Sequence, residues 1–349
     1  MHAELKVPQG KLVVVDLEVT EGRIADVRLS GDFFLEPDEA LGHMSDAVEG
    51  LPADASLAQI EAAVETARGD AVMVGFDPRS IAMVVLRALG RATTWTDHDF
   101  TLIETGPLHP AMQMAVDEVI AQQVGAGERG PALRIWEWAS NAVIIGSFQS
   151  LSNEVDLDAA ARHDTTVVRR ISGGGAMFVE PGNTITYSLY VPGTLVEGMS
   201  FVESYAFLDA WVVRALRELG VAADYKPVND LVSPAGKIGG AAQKRLASGA
   251  VLHHVTMSYD MDAAKMLDIL RIGREKLSDK GHVSAAKRVD PIRSQTGLPR
   301  EDVVKALVEH FDRENGPLAR TELDADTWAR AEQLAESKFS DPDWLARVP

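Results

Sequence analysis

Two stretches of the chain carry residue types suited to holding an anion. From Val167 to Asn183 the sequence reads VVRRISGGGAMFVEPGN, so Arg169 and Arg170 run through Ile171 and Ser172 into Gly173, Gly174 and Gly175. A glycine run lets backbone approach a ligand more closely than any residue with a Cβ. Guanidinium forks match carboxylate and phosphate oxygens. These features suit a phosphate, although the same residues would also make a flexible turn beside a structural arginine pair. From Asn229 to Gln243, NDLVSPAGKIGGAAQ places Asn229 and Asp230 at a strand start, then a Ser-Pro-Ala-Gly turn, then Lys237 followed by small residues. Small neighbours let an ammonium lie against a ligand, and a half-buried ammonium needs an anionic partner. The alternative is a surface hairpin with a solvated lysine.

The elements that must position these residues follow from periodicity. Val167 and Val168 end a buried strand, and Ile185, Tyr187 and Leu189 alternate with polar residues in a returning one, which puts the glycines at a hairpin-like tip. His109 to Gln123 has a proline at its start and apolar residues at helical spacing; Asp117 and Glu118 within it read as structural or solvated. Leu133–Trp138 and Ala142–Gly146 are strands, Val155–Ala161 is a helix, and Phe201–Leu219 is a long amphipathic helix ended by Gly220. Gly249–Ser258 is a strand carrying His253 and His254, which point to opposite faces and so do not chelate one metal from one side. Met261–Leu270, Arg300–Asn315 and Asp324–Phe339 are helical by period. Ahead of all this, Lys11–Val19 and Arg23–Leu29 form a hairpin, with helices expected after Pro37, over Ser56–Ala67 and over Pro78–Leu89. The polar stretch Leu89–Phe100 reads as a linker, dividing the chain into residues 1–92 and 93–349.

Composition removes several classes of function. Acidic residues outnumber basic ones 52 to 34, a net charge of −18, which argues against nucleic-acid binding. No run reaches the ~18 apolar residues of a membrane span, and the first residues lack an apolar core of signal-peptide length, so the expected location is cytoplasmic. With no cysteine, disulfides, thiolate metal sites and thiol nucleophiles are excluded.

Taken together, the two stretches resemble the lipoate-protein ligase family, whose pattern is Arg-Arg-x-Ser/Thr-Gly-Gly-Gly-Ala-Val-Phe/Tyr-His-Asp-x-Gly-Asn, then Asn-Asp, a hairpin, and Lys-Ile/Val-x-Gly-x-Ala. The similarity extends to Gly146 with Gln149, to His253-His254, to a basic Lys-Leu-x-x-Lys-Gly-x-x-Ser segment within Arg274–Ile292, and to the ending KFSDPDWL. GKLVVVDLEV and SGDFF resemble the accessory domain of that family, here placed first. The resemblance implies an α+β fold: a biotin/lipoate-protein ligase-like catalytic domain with mixed and antiparallel sheets and flanking helices, plus a small α+β accessory domain.

It also implies a reaction. ATP activates lipoate as lipoyl-AMP, with Mg²⁺ offsetting the triphosphate charge, and the lipoyl group passes to a lysine of an acceptor domain. Such domains are carried by 2-oxoacid dehydrogenase acyltransferase subunits and the glycine cleavage H protein; neither nucleic acid nor membrane is a partner. Matched motif to motif, Arg170, Ser172, Gly173, Gly174, Gly175, Ala176, Met177 and Phe178 would hold nucleotide and acid, along with Gly240 and His254, while Asn229 and Asp230 would either orient ribose, metal or phosphate or merely cap the hairpin. Lys237 would steady the carboxylate, the phosphate and the developing oxyanion. No direct protein metal ligand is assigned. An apolar tunnel, with Trp136, Ile144 or Leu252 in its wall, would take the acyl chain. The chain departs from the family at Val179-Glu180, where His-Asp is usual, and at Met177, where Val is usual. A carrier-dependent octanoyl or lipoyl transferase working through a cysteine thioester is disfavoured by the absence of cysteine, and a biotin ligase by the absence of its Gly-Arg-Gly-Arg loop. A non-catalytic lipoate-binding protein is the alternative of another class.

Overall fold

The computed structural model describes residues 1–7, 10–271 and 289–348. Two compact units result: Met1–Thr94 with Thr194–Gly198, and Trp95–Gly193 with Met199–Pro349.

In the first unit, β1 (His2–Lys6), β2 (Leu12–Thr20) and β3 (Arg23–Gly31) form an antiparallel sheet in that order. β2 and β3 are the expected hairpin; β1 was not anticipated and pairs along Leu12–Asp16. One face of the sheet, with Val13, Val15, Leu17 and Ile24, is buried against α1 (Ala40–Val48), α2 (Leu57–Arg68) and α3 (Pro78–Ala88). Reciprocal capping boxes, Ser56 with Gln59 and Asp77 with Ser80, start α2 and α3. The short strands β4 (Phe34–Glu36) and β5 (Val72–Val74) pair with each other. Thr194 belongs to this unit through its carbonyl, which accepts from Thr93 N at 2.9 Å. The second half of the expected linker is anchored by its aromatic residues, although Thr96, Asp97 and Asp99 are exposed. Trp95 lies 5.3–5.7 Å, ring centre to ring centre, from Phe100, Phe207 and Phe311, and Phe100 is buried in the second unit.

The second unit contains, in chain order, β6 (Thr101–Leu108), α4 (Pro110–Ala126), β7 (Ala132–Trp138), β8 (Ala142–Ile145), β9 (Thr166–Arg169), β10 (Met177–Val179), β11 (Thr184–Pro192) and α5 (Phe201–Glu218). β12 (Asp224–Lys226), β13 (Asp230–Val232), β14 (Lys237–Arg245), β15 (Ala250–Ser258), α6 (Arg300–Asn315), β16 (Ala319–Thr321) and α7 (Ala325–Leu334) follow. Eight strands make one mixed sheet, β12-β13-β14-β15-β11-β7-β6-β16, in which β16-β6 and β6-β7 are parallel and the remaining pairs antiparallel. The fold class is the expected α+β one.

Successive side chains on a strand alternate between faces. Tyr190 and Leu252 therefore join α4 and α7 in one core, while Tyr187 meets Trp211 of α5 on the other side, where Phe311 of α6 also packs.

A separate three-stranded sheet, ordered β10-β8-β9, corrects the expected hairpin tip. β9 and the returning strand β11 lie in different sheets, and β9 does not pair with β10 either. β8 lies between β9 and β10, parallel to the former and antiparallel to the latter, and the glycines arch over its end. Gly146, just past β8, makes the arch possible, since a Cβ there would sit 2.1 Å from the Gly174 carbonyl oxygen.

Candidate functional site

The two adjacent arginines turn to opposite faces of β9, and neither presents an open fork to a ligand. Arg169 donates to the backbone carbonyls of Leu345, Val348, Gly146 and Gln149 at 2.7–3.1 Å. Arg170 donates from Nε to Ser172 Oγ at 3.0 Å, from Nη1 to Ile144 O at 3.2 Å, and from Nη2 to Gly173 O at 2.6 Å and Gly175 O at 2.9 Å. The loop is thus built around Arg170. Because a trans peptide points its C=O and N–H in opposite directions, turning these two carbonyls toward the guanidinium aims the Gly174 and Ala176 N–H groups away from it. Among the described residues Arg170 makes no ion pair with a carboxylate, and burial pulls its pKa down to about 10. A buried cation lacking a protein anion leaves positive potential at the glycine loop.

Gly174 has φ +92°, and a Cβ on it would lie 3.0 Å from Arg170 Nη2 and 3.9 Å from Ala242 Cβ. Gly173 lies under the exposed ring of Phe148, and nothing comes within 4 Å of a Cβ built on Gly175. Ala242 leads across to the second motif. On β14 it pairs with His254, and Gly240 pairs with Thr256. Lys237 Nζ would be 3.2 Å from a Cβ on Gly240, and it rests 2.6 Å from Asp230 Oδ1 with about half of its side chain exposed. Thus β14, which begins at Lys237, runs beside both the glycine loop and His254. Asn229 faces inward to the hairpin: its Nδ2 donates to Ala241 O at 2.7 Å and its carbonyl accepts from Ala241 N at 2.8 Å.

Behind Arg170 and His254 lies a small, half-open cavity of about 20 Å³, lined by Met114, Trp136, Trp138, Ile144, Arg170, Met177, Thr186, His254 and Thr256. Its polar lining is satisfied internally: Trp138 Nε1 donates to Thr186 Oγ1 at 3.1 Å, and the Thr186 and Thr256 hydroxyls meet at 3.0 Å. To a ligand such a wall is largely apolar. Trp136 and Ile144 stand where expected; Leu252 does not, because it lies farther along β15 in the core under α4. Phe178 also points elsewhere, packing with Val143 and Ile145, and Ala176 touches that same cluster.

Asp117, read from the sequence as structural or solvated, is joined to the site residues by hydrogen bonds. It is buried on α4, and its carboxylate accepts from Ser188 Oγ and Tyr190 OH, both at 2.6 Å, and from His254 Nδ1 at 2.8 Å. His254 Nε2 in turn meets Ser172 Oγ at 2.7 Å. One chain of hydrogen bonds therefore runs from Arg170 through Ser172 and His254 to Asp117. Burial lowers the His254 pKa against the opposing effect of Asp117, so the ring is neutral, with Nδ1–H donating and Nε2 accepting. The available signal was a carboxylate on the apolar stripe of α4, between Met114 and Ile120, which is an expensive place for a charge without partners.

The departure at Val179-Glu180 also acquires a structural account. Glu180 is buried, pairs with Lys265 Nζ at 2.5 Å and accepts from Asp262 N at 3.1 Å, holding the helix Ala263–Ile269. The basic Lys-Leu-x-x-Lys-Gly-x-x-Ser segment falls in 272–288, outside the described residues. Among the described residues no group of three or more His, Cys, Asp or Glu side chains is placed to hold a metal ion.

A mixed eight-stranded sheet, a separate three-stranded sheet that leads into the glycine loop, and a lysine hairpin on β14, beside the strand that carries His254, define the second unit as an α+β domain. The chain belongs to the lipoyl protein ligase A/B catalytic domain family, whose pattern matches residues 109–312. Octanoyltransferase LipM of Kyrpidia tusciae is 30% identical over 273 residues, which span 70% of this chain and 98% of the relative. The solved bi-partite lipoate protein ligase of Thermoplasma acidophilum, studied with its E2 lipoyl domain, is 27% identical with a TM-score of 0.64, covering 72% of this chain and 98% of that one. A lipoate-protein ligase A bound with ATP is 25% identical with a TM-score of 0.62, covering 72% and 99%. Among the described residues, no helix is long and apolar enough to cross a membrane.

Proposed function

We propose that the protein is an ATP-dependent lipoate-protein ligase that activates lipoate as lipoyl-AMP and passes the lipoyl group to a lysine of an acceptor domain. The observation that carries this reading is the placement of Lys237. Its ammonium lies over Gly240, whose cross-strand partner Thr256 lines the apolar cavity, and the glycine loop with its buried Arg170 closes the same site. An acid with its chain in the cavity would bring its carboxylate to Lys237.

ATP is the co-substrate. The carboxylate oxygen attacks the α-phosphate, the bond to the β,γ-pyrophosphate breaks, and pyrophosphate leaves. Negative charge grows on the phosphoryl oxygens, where the Gly174 and Ala176 N–H groups and Lys237 would stabilise it. In the second step a neutral acceptor amine attacks the mixed-anhydride carbonyl, Lys237 steadies the oxyanion, and AMP departs with the acyl–oxygen bond broken. ATP use agrees with the cytoplasmic location expected from the sequence. The first unit is proposed as the accessory module, which the two-part Thermoplasma relative supports as a separable piece.

A second reading, an acyl transferase, is favoured by the octanoyltransferase relative. This chain has no cysteine to carry an acyl group. Ser172, hydrogen-bonded to His254 and through it to Asp117, has the partners a nucleophilic hydroxyl needs. Against it, Ser172 is buried, with its oxygen already accepting from Arg170. The deciding experiment measures pyrophosphate release with ATP plus lipoate or octanoate, followed by mass gain on a lipoyl-domain acceptor. Acyl transfer from an octanoyl thioester without ATP, and without pyrophosphate release in the first assay, would replace the ligase by the transferase.

A further inference from the structure

We infer that the segment Asp341–Val348 is a positioning element of the ligand site, acting through Arg169 and Trp344; the inference rests on the site being the ligand site proposed above. Arg169 is fully buried. Its Nε and Nη2 reach Leu345 O at 2.9 and 2.7 Å, Nη2 also reaches Val348 O at 3.1 Å, and Nη1 reaches Gly146 O at 2.9 Å and Gln149 O at 2.7 Å. The segment answers: Trp344 Nε1 donates to the carbonyl of Arg169 itself at 2.9 Å, and Val348 O accepts from Leu151 N at 3.0 Å.

One guanidinium therefore ties the 344–348 segment to the 146–149 turn and to the strand that enters the glycine loop. That turn shapes the site directly. Gly146 lies beneath the Gly174 carbonyl, Ser147 N donates to Ser172 O at 2.8 Å, and Phe148 covers Gly173. The helix Pro342–Leu345 is only four residues long, too short to hold its own place. Trp344 is kept in position by its neighbours, its ring lying 4.4 Å from Lys338 Nζ and 4.6 Å from the Arg347 guanidinium carbon. Without the segment, buried donors of Arg169 lose their acceptors, and the guanidinium has reason to leave Gly146 and Gln149 as well.

The test compares the full chain with two variants, a chain cut after Ser340 and Trp344→Phe, which keeps an aromatic ring but loses the N–H. Backbone hydrogen exchange is the first readout. Amides in 146–149 and 172–176 should exchange roughly tenfold faster in the cut chain and a few-fold faster in Trp344→Phe, with α5 amides unchanged. The second readout is adenylation, where KM for ATP should rise about tenfold in the cut chain with a smaller change in kcat. Added peptide 341–349 should reverse both effects. Unchanged exchange at 146–149 and 172–176 in both variants overturns the inference, and so does acceleration spread evenly over the second unit. If the full chain releases no pyrophosphate with either acid, the ligase reading fails, while the exchange comparison still decides whether the segment positions the loop.

Discussion

The glycine loop and the lysine hairpin, proposed above to serve one site, are held in opposite ways. Around the loop, Arg170 engages four acceptors, two of them loop carbonyls, and Ser172 is fixed from a second side by His254. At the hairpin, Lys237 has one carboxylate and about half of its side chain in water. A cradle for a phosphate benefits from being set before the ligand arrives, since reorganising it at the moment of reaction would cost rate. A cation that serves first a carboxylate and phosphate, then an oxyanion, must move between partners. Rigidity and pliancy are divided between Gly174 and Lys237, 63 residues apart in sequence.

Lys237→Ala should separate these roles most sharply. Loss of a charge at the transition state typically costs on the order of 3 kcal/mol, about a hundredfold in adenylation rate. Because Lys237 is half exposed, the melting temperature should hardly change. Near wild-type lipoylation by this variant would remove Lys237 from the mechanism.

Gly174→Val should act in the other way, through the cradle itself. A β-branched residue at φ +92°, with its Cβ 3.0 Å from Arg170 Nη2, must displace the guanidinium or distort the loop. We expect lipoyl-AMP binding to be lost in calorimetry together with about 1–3 kcal/mol of stability. Retained affinity would mean that the loop is not preset and that the contrast with the hairpin is false.

A chain beginning at Thr94 asks whether the pliant side of the site depends on the first unit. It should fold, lose most adenylation, and still transfer from supplied lipoyl-AMP; residues 1–93 added separately should restore part of the first step in proportion to their concentration. Full adenylation by the shortened chain would sink the accessory-module proposal.

The smallest effect concerns acid. The His254 pKa is lowered from 6.5 by burial, so the unfolded chain protonates first as pH falls. The stability linked to the neutral ring is present above pH 6.5 and is lost as pH drops through the folded value. Melting temperature should decline below pH 6.5 in the wild type, and less steeply in His254→Gln; parallel declines would exclude His254 as the source.

Both motifs were legible because glycine runs and a lysine among small residues reflect local backbone needs. The alternation in β11 was also legible, but its meaning was not. Such alternation commonly marks a strand with one face in water, whereas here Thr186 and Ser188 serve Trp138 and Asp117 in the interior. The fate of the arginines was hidden for a related reason. Arg169 is completed by carbonyls of a segment 176 residues later, and no local pattern announces such a partner. Likewise the arch over β8 depends on Gly146 meeting Gly174, a steric fact that exists only after β8, β9 and β10 have assembled.

The cavity wall has a consequence for oxidative damage. In a chain without cysteine, thiol-blocking reagents have no target, yet Met114 and Met177 both face the space assigned to the acyl chain. Peroxide converts a thioether to a sulfoxide, placing a strongly polar S=O where only satisfied groups now stand. Inactivation of this site by oxidant would therefore be insensitive to thiol reductants and reversed by methionine sulfoxide reductases.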